Sequence, residues 1–395
     1  MERSLKILKA WIIPLLIVFW SLKSEGTALA EMAGHAKVFP SLRRVSSSDG
    51  KSVNSRSLVL DARMRDERSL FEGELKWAYG LSLSYMSESQ STTEPGLQVY
   101  RIKDLKRVVH AFAEDKGRVR QNLDRLLWET SFDKFDLSLG RQAFAYGVAR
   151  IANPSDVFAP FPLQRIDQEF RLGIDGARLS IPLGELSEWE WAVIFGEKAS
   201  PTESAALTRY KTQMASVDTE LILIHFRKAQ LLGFNLEGSL AELGLRAEGA
   251  IVKPKEEDSY LRVVLGGAYM FEGGSVLDLE YYHNRAGAKN RFEYPELWTT
   301  FAYTQGGVFF QGQHYLSTSL NHSLNPLLNG TAQFVANLSD GTMLTVIQLN
   351  YNSTENSYLD FGCFLSPTSR GKDEVFQGEF ASLGQQIYAS ARYYW

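Results

Sequence analysis

The chain has 395 residues, 44% of them hydrophobic, and a formal net charge of −4. This balance, with no basic patch, argues against nucleic acid as a partner. Its single cysteine, Cys363, excludes an intrachain disulfide framework. The length would suffice for two soluble domains, but no Pro- or Ser-rich linker divides the chain.

Residues 1–30 have the pattern of a secretory signal peptide. Arg3, Lys6 and Lys9 precede the apolar run Ala10–Trp20, and Ala28 and Ala30 supply the small residues of a cleavage site. The run is shorter than the roughly 20 residues that a membrane-spanning helix needs. The sequence therefore predicts export of the chain.

Residues 31–54 are polar and irregular, which predicts a flexible N-terminal segment before the first strand. Period-two alternation then begins at Leu58–Met64 and continues more clearly at Leu75–Tyr85. One face of these segments is apolar and the other is small or polar. The pattern is compatible with a sandwich strand facing inward or a barrel strand facing lipid.

The alternation recurs down the chain between turn residues, in segments close to the roughly 9–11 residues of a tilted barrel strand. With the first two, the predicted strands number about 16, within a range of 14 to 18. The others lie at residues 122–130, 135–146, 174–183, 189–195, 219–226, 231–238, 242–252, 260–271, 275–283, 308–320, 331–338, 343–351, 358–365 and 385–395. Residues 103–118 predict a short helix outside the wall.

The sequence does not decide whether the number of strands is even or odd. Residues 226–232 are either a tight turn or the middle of one long strand. A turn gives an even count but places the long gaps 87–118, 148–173 and 197–217 at the periplasmic end. One long strand places them outside but requires an extra strand near the N-terminus.

The last strand, Gln385–Trp395, alternates Ile387, Ala389, Ala391, Tyr393 and Trp395 with polar residues. It resembles the terminal strand of bacterial outer-membrane β-barrels, in which Tyr393 and Trp395 match the aromatic pair that the assembly machinery reads. We expect its odd face to point to lipid, Trp395 to lie at the inner aromatic girdle, and the strand to close the barrel against Leu58–Met64. The 12% aromatic content suits such girdles.

Residues 139–161 carry the most unusual pattern. The apolar phase changes between Leu139 and Phe144, which predicts a β-bulge at Gly140 that turns Arg141 from lipid into the lumen. The run Asn153-Pro154-Ser155-Asp156 then predicts a turn, with Asp156 as a backbone cap. Charges of both signs follow at every second position, from Arg165 onward. As candidates for a lumen constriction, the sequence offers Arg141, Arg150, Asp156, Arg165, Asp167, Glu169 and Arg171. The alternative is a salt-bridged loop that stabilises the barrel mouth.

Three motifs resemble a poorly characterised group of porin-like bacterial outer-membrane proteins. They are Gly140-Arg141-Gln142, Tyr146-Gly147 and the run Asn153–Phe158, with Tyr146 where a Trp is more usual. The resemblance implies an all-β, antiparallel, up-and-down transmembrane barrel over residues 55–395, with one or two long loops folding into the lumen. It implies the outer membrane of a Gram-negative bacterium, leaves a trimer open and implies no known substrate.

Enzyme motifs are weak by comparison. The six histidines do not form HExxH or another metal-ligand spacing, and no GxSxG or Walker loop occurs. Asn321-His322-Ser323 is the nearest candidate for a Ser–His pair, while Asp278 and Glu280 read as lumen-facing polarity. We expect no cofactor, no metal and no catalysis.

The leading hypothesis is a porin-like channel for small polar or charged solutes, with outer-membrane lipid and the barrel-assembly machinery as partners. Two alternatives stay open: a non-conducting structural or export-associated barrel, and a soluble exported β-sandwich that binds a ligand. The oligomeric state is not encoded in any pattern that we find.

Overall fold

A computed structural model of the chain describes residues 32–46, 52–87, 100–105, 107–160, 169–366 and 378–395. The predicted signal peptide lies outside these residues and stays a prediction. Within the described part, none of the helices has the length and apolarity needed to cross a membrane.

In the described part of the chain, nineteen strands form one antiparallel sheet, and eighteen of them close into a ring. The short β4 pairs with β5, while β3 pairs directly with β5 and β1 with β19. The strands are β1 Ala33–Ser46, β2 Ser52–Leu70, β3 Gly73–Met86, β4 Val108–Phe112, β5 Gly117–Ser131, β6 Asp136–Gln142, β7 Ile174–Pro182, β8 Ser187–Ile194, β9 Ala205–Met214, β10 Val217–Phe226, β11 Ala229–Leu240, β12 Leu243–Pro254, β13 Tyr260–Met270, β14 Val276–Asn284, β15 His314–Asn325, β16 Leu328–Asn337, β17 Thr342–Thr354, β18 Ser357–Leu365 and β19 Gln385–Tyr394. The predicted antiparallel barrel is confirmed, with eighteen wall strands where about 16 were expected.

Within the described residues, helical structure is confined to the connections. Two four-residue helices, α1 Tyr294–Leu297 and α2 Phe301–Thr304, lie between β14 and β15. Single 3₁₀ turns occur at Glu197–Ala199, Arg291–Glu293 and Ala381–Leu383. The helix predicted over residues 103–118 is wrong, because β4, a turn and the start of β5 occupy its second half.

The apolar face of each strand points away from the ring. Along β11, Leu232 and Phe234 are 46% and 43% exposed, whereas Leu231 and Asn235 are each 2% exposed. Successive side chains of a strand point to opposite faces, so the leucines share the outer face. A sandwich would bury that face; the soluble-sandwich alternative is therefore wrong.

The two ends of the ring differ in their connections. Every second connection, from β2–β3 to β17–β18, is a short turn, and together these form the turn end. The long connections β3–β4, β6–β7, β14–β15 and β18–β19 lie at the opposite, loop end. The N-terminal end of β1 and the C-terminal end of β19 meet at the turn end, where Gly34 and Trp395 exchange two backbone hydrogen bonds. In outer-membrane barrels, short turns face the periplasm and long loops face outward.

Two wall strands were not predicted from the sequence, and together they resolve the question of whether the strand count is even. Residues 226–229 do form a tight turn, since Phe226 pairs with Ala229. The additional strands β1 and β9 keep the count even and place the long loops at one end. The flexible segment predicted at residues 31–54 is accordingly wrong for Ala33–Ser46.

Closure also differs from expectation. Strand β19 pairs with β1 instead of with Leu58–Met64, which belongs to the next strand, β2. Its outward face is as predicted: Ile387 and Tyr393 are exposed, whereas Tyr388 and Ser390 are buried. The wall is thus sealed by the first and last described strands.

Candidate functional site

The connection between β6 and β7 folds into the barrel, and we call residues 143–173 the lumen loop. Its residues 161–168 lie outside the described part of the chain. Phe144, Tyr146, Val157 and Phe158 are nearly fully buried and pack against inward-facing apolar residues of β7 to β13. The loop therefore fills part of the ring instead of extending above it.

Two carboxylates of the barrel wall hold the backbone of the lumen loop. Glu248 on β12 accepts hydrogen bonds from the backbone N–H groups of Val148, Ala149 and Ser155 at 2.8 to 3.1 Å. Glu280 on β14 accepts from Arg150 and Ile151 at 2.9 and 3.0 Å. Because the loop forms no sheet ladder, these carboxylates satisfy donors that burial would otherwise leave unpaired.

Arginines on β12 and β13 compensate the buried acids. Arg246 lies 3.0 Å from Glu280 and 2.5 Å from Asp278. Arg262, 1% exposed, donates from Nη2 to the carbonyl of Asn153 at 3.2 Å. Such charge pairs limit the free energy that burying an isolated carboxylate would cost. Asp278 and Glu280 therefore lie on the lumen face, as the alternation predicted.

Glycine is required at the point where the loop passes over Glu248. Gly147 has a φ of +102°, and a Cβ there would lie 2.6 Å from the Glu248 carboxylate oxygens. A side chain would clash and would also disfavour this backbone conformation. The Tyr146-Gly147 pair of the motif thus has a local physical role.

A second cluster ties the loop to β8 and β9. The Tyr146 hydroxyl donates to Glu190 at 2.8 Å, and Arg209 Nη2 lies 2.9 Å from the same carboxylate. Arg209 also pairs with Glu188 and Glu220. None of these wall residues was selected from the sequence, because polar residues alternate along almost every strand and nothing local marks the ones that meet a distant loop.

Asp156 and Arg171 form an ion pair within the lumen loop. Asp156 is 1% exposed, and its Oδ1 accepts from the backbone N–H groups of Phe158 and Ala159 at 3.3 and 3.4 Å. The turn at residues 153–156 closes with a hydrogen bond from the Asp156 N–H to the Asn153 carbonyl. These two charges organise the loop internally.

Glu169 reaches the seam between β1 and β19. It lies 2.6 Å from Lys37 Nζ and accepts a hydrogen bond from the Tyr394 hydroxyl at 2.7 Å. Burial raises the pKa of the Glu169 carboxyl, but the bonds from Lys37 and Tyr394 outweigh burial and hold the pKa below its usual value. The adjacent Phe170 lies under the Arg63 guanidinium, 4.0 Å from ring centroid to Cζ.

Arg141 lies at the loop end of the wall, where β6 ends. It is 7% exposed and binds Asp175 at 2.6 Å, with further bonds to the carbonyls of Leu123 and Lys103. The predicted bulge at Gly140 is wrong, because the register of β6 with both neighbours is continuous there. The irregularity lies one strand away, where β5 accommodates Asp124 as an extra residue opposite Ala78 and Tyr79.

The remaining candidates for a lumen constriction are Arg150, Arg165 and Asp167. Arg150 is exposed, and its N–H bond to Glu280 places it inside the ring. Arg165 and Asp167 fall outside the described residues. The structure thus brings Asp156 together with Arg171, places Arg150 and Glu169 at different points of the loop, and puts Arg141 in the wall.

A second network, the rim network, lies at the loop end over β15 to β17. Glu379 accepts hydrogen bonds from the Tyr315 hydroxyl at 2.5 Å, Asn337 Nδ2 at 2.8 Å and the Gln311 N–H at 3.1 Å. Its own N–H donates to Asp340 at 2.7 Å. Phe310 packs on Tyr315 and Phe380 beside it. Burial raises the pKa of the Glu379 carboxyl to about 7, while the bonds from Tyr315, Gln311 and Asn337 act against this shift.

The Asn321-His322-Ser323 triplet, the nearest sequence candidate for a Ser–His pair, forms a different contact. His322 Nδ1 lies 2.8 Å from Ser275 Oγ, at an exposed position near the turn end. Among the described residues, no group of three or more His, Cys, Asp or Glu side chains could hold a metal ion.

Solved structures with this architecture were found by comparison of folds. OccAB4 of Acinetobacter baumannii superposes with a TM-score of 0.54 and 11% identity, over 92% of this chain and 98% of that one. The outer membrane protein OpdK of Pseudomonas aeruginosa gives 0.55 and 5%, over 93% and 99%. OccK7 (OpdD) of the same organism gives 0.54 and 10%, over 93% and 99%.

The chain shares the fold of these outer-membrane proteins, a closed antiparallel barrel of 18 strands in the described residues. No protein-family model matches the sequence, and no curated protein is similar to it in sequence. The Gly-Arg-Gln, Tyr-Gly and Asn-Pro-x-Asp motifs therefore stay a prediction of a particular porin-like group, although the structure gives each a place in or beside the lumen loop.

Proposed function

We propose that the chain is a porin-like channel of the Gram-negative outer membrane for small polar or charged solutes. The observation that carries the proposal is the inverted distribution of side chains, with leucines outside the closed ring and ion pairs inside it. A wall of eighteen strands is wide enough to enclose an aqueous lumen. The lumen loop narrows that lumen at the level of Glu248 and Glu280.

The outer face supports placement in a membrane. Leu221, Leu223, Leu232, Phe234 and Leu265 are all between 43% and 55% exposed. In water, such a surface would drive aggregation, whereas in a bilayer it faces hydrocarbon. Every backbone group of a closed ring finds a partner in a neighbouring strand, which hydrocarbon requires.

Charge on the lumen loop supports passage of polar or charged solutes. Arg150 extends its exposed guanidinium inside the ring, and Glu169 contributes a carboxylate near the β1–β19 seam. Opposite charges at a constriction create a field across the path of a solute. OpdK, which shares the fold, has been crystallised with vanillate, an aromatic carboxylate. An anionic solute of that size is a suitable first substrate to test.

Planar-bilayer recording tests the proposal. The folded protein should give stepwise currents, and Arg150→Ala should shift the reversal potential in a salt gradient toward cation preference. Lys134→Ala is the matched control, because Lys134 is an exposed cation in the β5–β6 turn at the other end of the ring. It should leave the reversal potential unchanged.

A folded barrel that inserts but never conducts would refute the channel and favour the non-conducting structural or export-associated barrel. If the Arg150→Ala variant conducts with an unchanged reversal potential, Arg150 is not part of the constriction. We further propose that transport occurs without cofactor or catalysis, that residues 1–30 are a cleaved signal peptide, and that Tyr393 and Trp395 are read by the barrel-assembly machinery. Trp395 stacks on Tyr393 at the turn end, where such a signal would be presented.

A further inference from the structure

Polar side chains replace apolar ones on the outer face of β10 to β15 at the loop end. The outward-facing residues nearest that end are His225 on β10, Gln230 on β11, Lys253 on β12, His283 on β14 and His314 on β15, which we call the rim row. Several are direct cross-strand neighbours: His225 with Gln230, Gln230 with Lys253, and His283 with His314. Leu261 of β13 separates the two groups.

The rim row lies immediately beyond the apolar band. One step toward the turn end on the same face, the side chains are Leu223, Leu232, Ile251 and Leu316, which are 41% to 51% exposed. The change from leucine to His, Gln and Lys within one outward step marks the level at which hydrocarbon gives way to headgroups. The rim row is therefore at headgroup depth.

Two further cations extend the row toward the loops. Lys255 follows β12 and Arg285 follows β14, and both are exposed. Within the described residues, Lys253, Lys255 and Arg285 form no ion pair. Lys228, on the neighbouring β10–β11 turn, differs because it pairs with Glu256 at 3.4 Å.

Two of the three nearby acids are engaged elsewhere. The β12–β13 connection carries Glu256, Glu257 and Asp258. Glu256 pairs with Lys228, and Glu257 accepts the N–H of Phe301 at 2.8 Å, on the helix α2 that packs toward the lumen. Asp258 is exposed, but the three cations Lys253, Lys255 and Arg285 outnumber it, so the outer face at headgroup depth keeps a surplus of cations and N–H donors.

Two histidines of the rim row lie side by side. The rings of His283 and His314 lie 4.9 Å apart between centroids. The Tyr281 hydroxyl bonds His314 Nδ1 at 2.7 Å, which fixes that ring and leaves its Nε2 available. His283 Nδ1 is a buried nitrogen, so it is not offered to the headgroups.

We propose that the rim row, with Lys255 and Arg285, binds the phosphate groups of phosphorylated lipids in the outer leaflet. Cations beside a bilayer attract anionic headgroups, and Lys, Arg and His together offer the N–H donors that phosphate oxygens accept. The inference rests on the proposed membrane placement but not on conduction. The bound lipid forms part of the barrel's own annulus, confined to the β10–β15 side.

Native mass spectrometry of the detergent-solubilised protein, titrated with bisphosphorylated lipid A, tests the proposal. The wild-type protein should retain the lipid, and the triple variant Lys253→Gln, Lys255→Gln, Arg285→Gln should bind it at least about tenfold more weakly. The double variant His283→Gln, His314→Gln should give a smaller loss. Lys228→Gln and Lys134→Gln, which remove a paired cation and a turn-end cation, should bind like the wild type.

Dephosphorylated lipid A provides the second arm. Equal retention of the phosphorylated and dephosphorylated lipids, or an unchanged affinity in the triple variant, would overturn the proposal. Folding of each variant is checked by its heat-modifiable gel mobility, so that loss of binding is not confused with loss of the barrel. Bilayer conductance of the same variants separates the two proposals: a conducting triple variant that loses lipid supports both and shows that they are independent, and a non-conducting wild type that binds phosphorylated lipid refutes only the channel.

Discussion

The lumen loop and the rim network are two buried connections held in opposite ways. In the lumen loop, the carboxylates belong to the wall and the N–H donors belong to the loop. In the rim network, the carboxylate of Glu379 belongs to the connection, and the wall supplies donors through Tyr315 and Asn337. The first arrangement is flanked by arginines; the second has the carboxylate of Asp340 as its charged neighbour.

The rim network contains a carboxylate outside the wall strands that responds to protons. Glu280 of the wall is paired with Arg246, so its charge is compensated at close range. Glu379 is buried, and its backbone N–H donates to the neighbouring carboxylate of Asp340. Burial of a carboxylate favours its neutral form. We therefore expect the rim network to loosen as the pH rises.

The largest effect should come from Glu248→Ala. The change removes the acceptor of three backbone N–H groups, and each buried donor left unpaired costs roughly 1–3 kcal/mol. The loop should detach from β12, so that amide hydrogen exchange at Val148, Ala149 and Ser155 accelerates and single-channel current becomes noisier. Glu237→Ala, at an exposed position on β11, is the control and should change neither. Unchanged exchange in Glu248→Ala would show that the loop is held by packing alone.

The next effect is the pH response of the rim network. The pKa of Glu379 is raised from 4.5 to about 7, so its contribution to stability is fully present below pH 4.5 and is lost as the pH rises through about 7. The shift corresponds to on the order of 3 kcal/mol. Hydrogen exchange at Gln311 and Phe380, corrected for intrinsic rates, should accelerate as the pH rises from 4.5 to about 7. Glu379→Gln should remove this response, and a response that persists in Glu379→Gln would assign it to another group.

The smallest effect should come from removing one tyrosine hydroxyl in the lumen loop or one beside the rim network. Tyr146→Phe removes a single bond to Glu190, which still has Arg209, so the loss should be about 1 kcal/mol. Tyr303→Phe removes the 2.5 Å bond to the Phe310 carbonyl beside the rim network. Exchange of amides near each site should rise severalfold locally and stay unchanged at the other site. A coupled change would mean that the two connections move as one unit.

The sequence predicted the wall better than its contents, for a physical reason. Period-two alternation is local, so strands such as β11 and β14 were found from their own residues. Strands β1 and β9 were missed because small or polar residues interrupt their outward faces. These faces carry Ala36, Val38, Pro40 and Leu42 on β1, and Ala206, Thr208, Tyr210, Thr212 and Met214 on β9. An outward face with few large apolar residues gives little contrast with a polar lumen face.

The anchors of the lumen loop could not be found in this way. Glu248 lies 93 residues from Ser155 in sequence, and its role depends on which wall position the loop reaches. Gly140 illustrates the same limit. Its phase change was read as a bulge, whereas the strand keeps its register and Gly140 adopts a φ of +119° with Leu126 O directly beneath its missing Cβ.

The pairing of β1 with β19 has a consequence for how the barrel forms. The two strands come from opposite ends of the chain and are joined by registers such as His35 with Tyr394. All other neighbouring wall strands are close in sequence and can associate as hairpins. The final contact therefore closes a loop of almost the whole polypeptide, which has the highest entropic cost and forms slowest. Until Trp395 reaches Gly34, the sheet keeps two open edges.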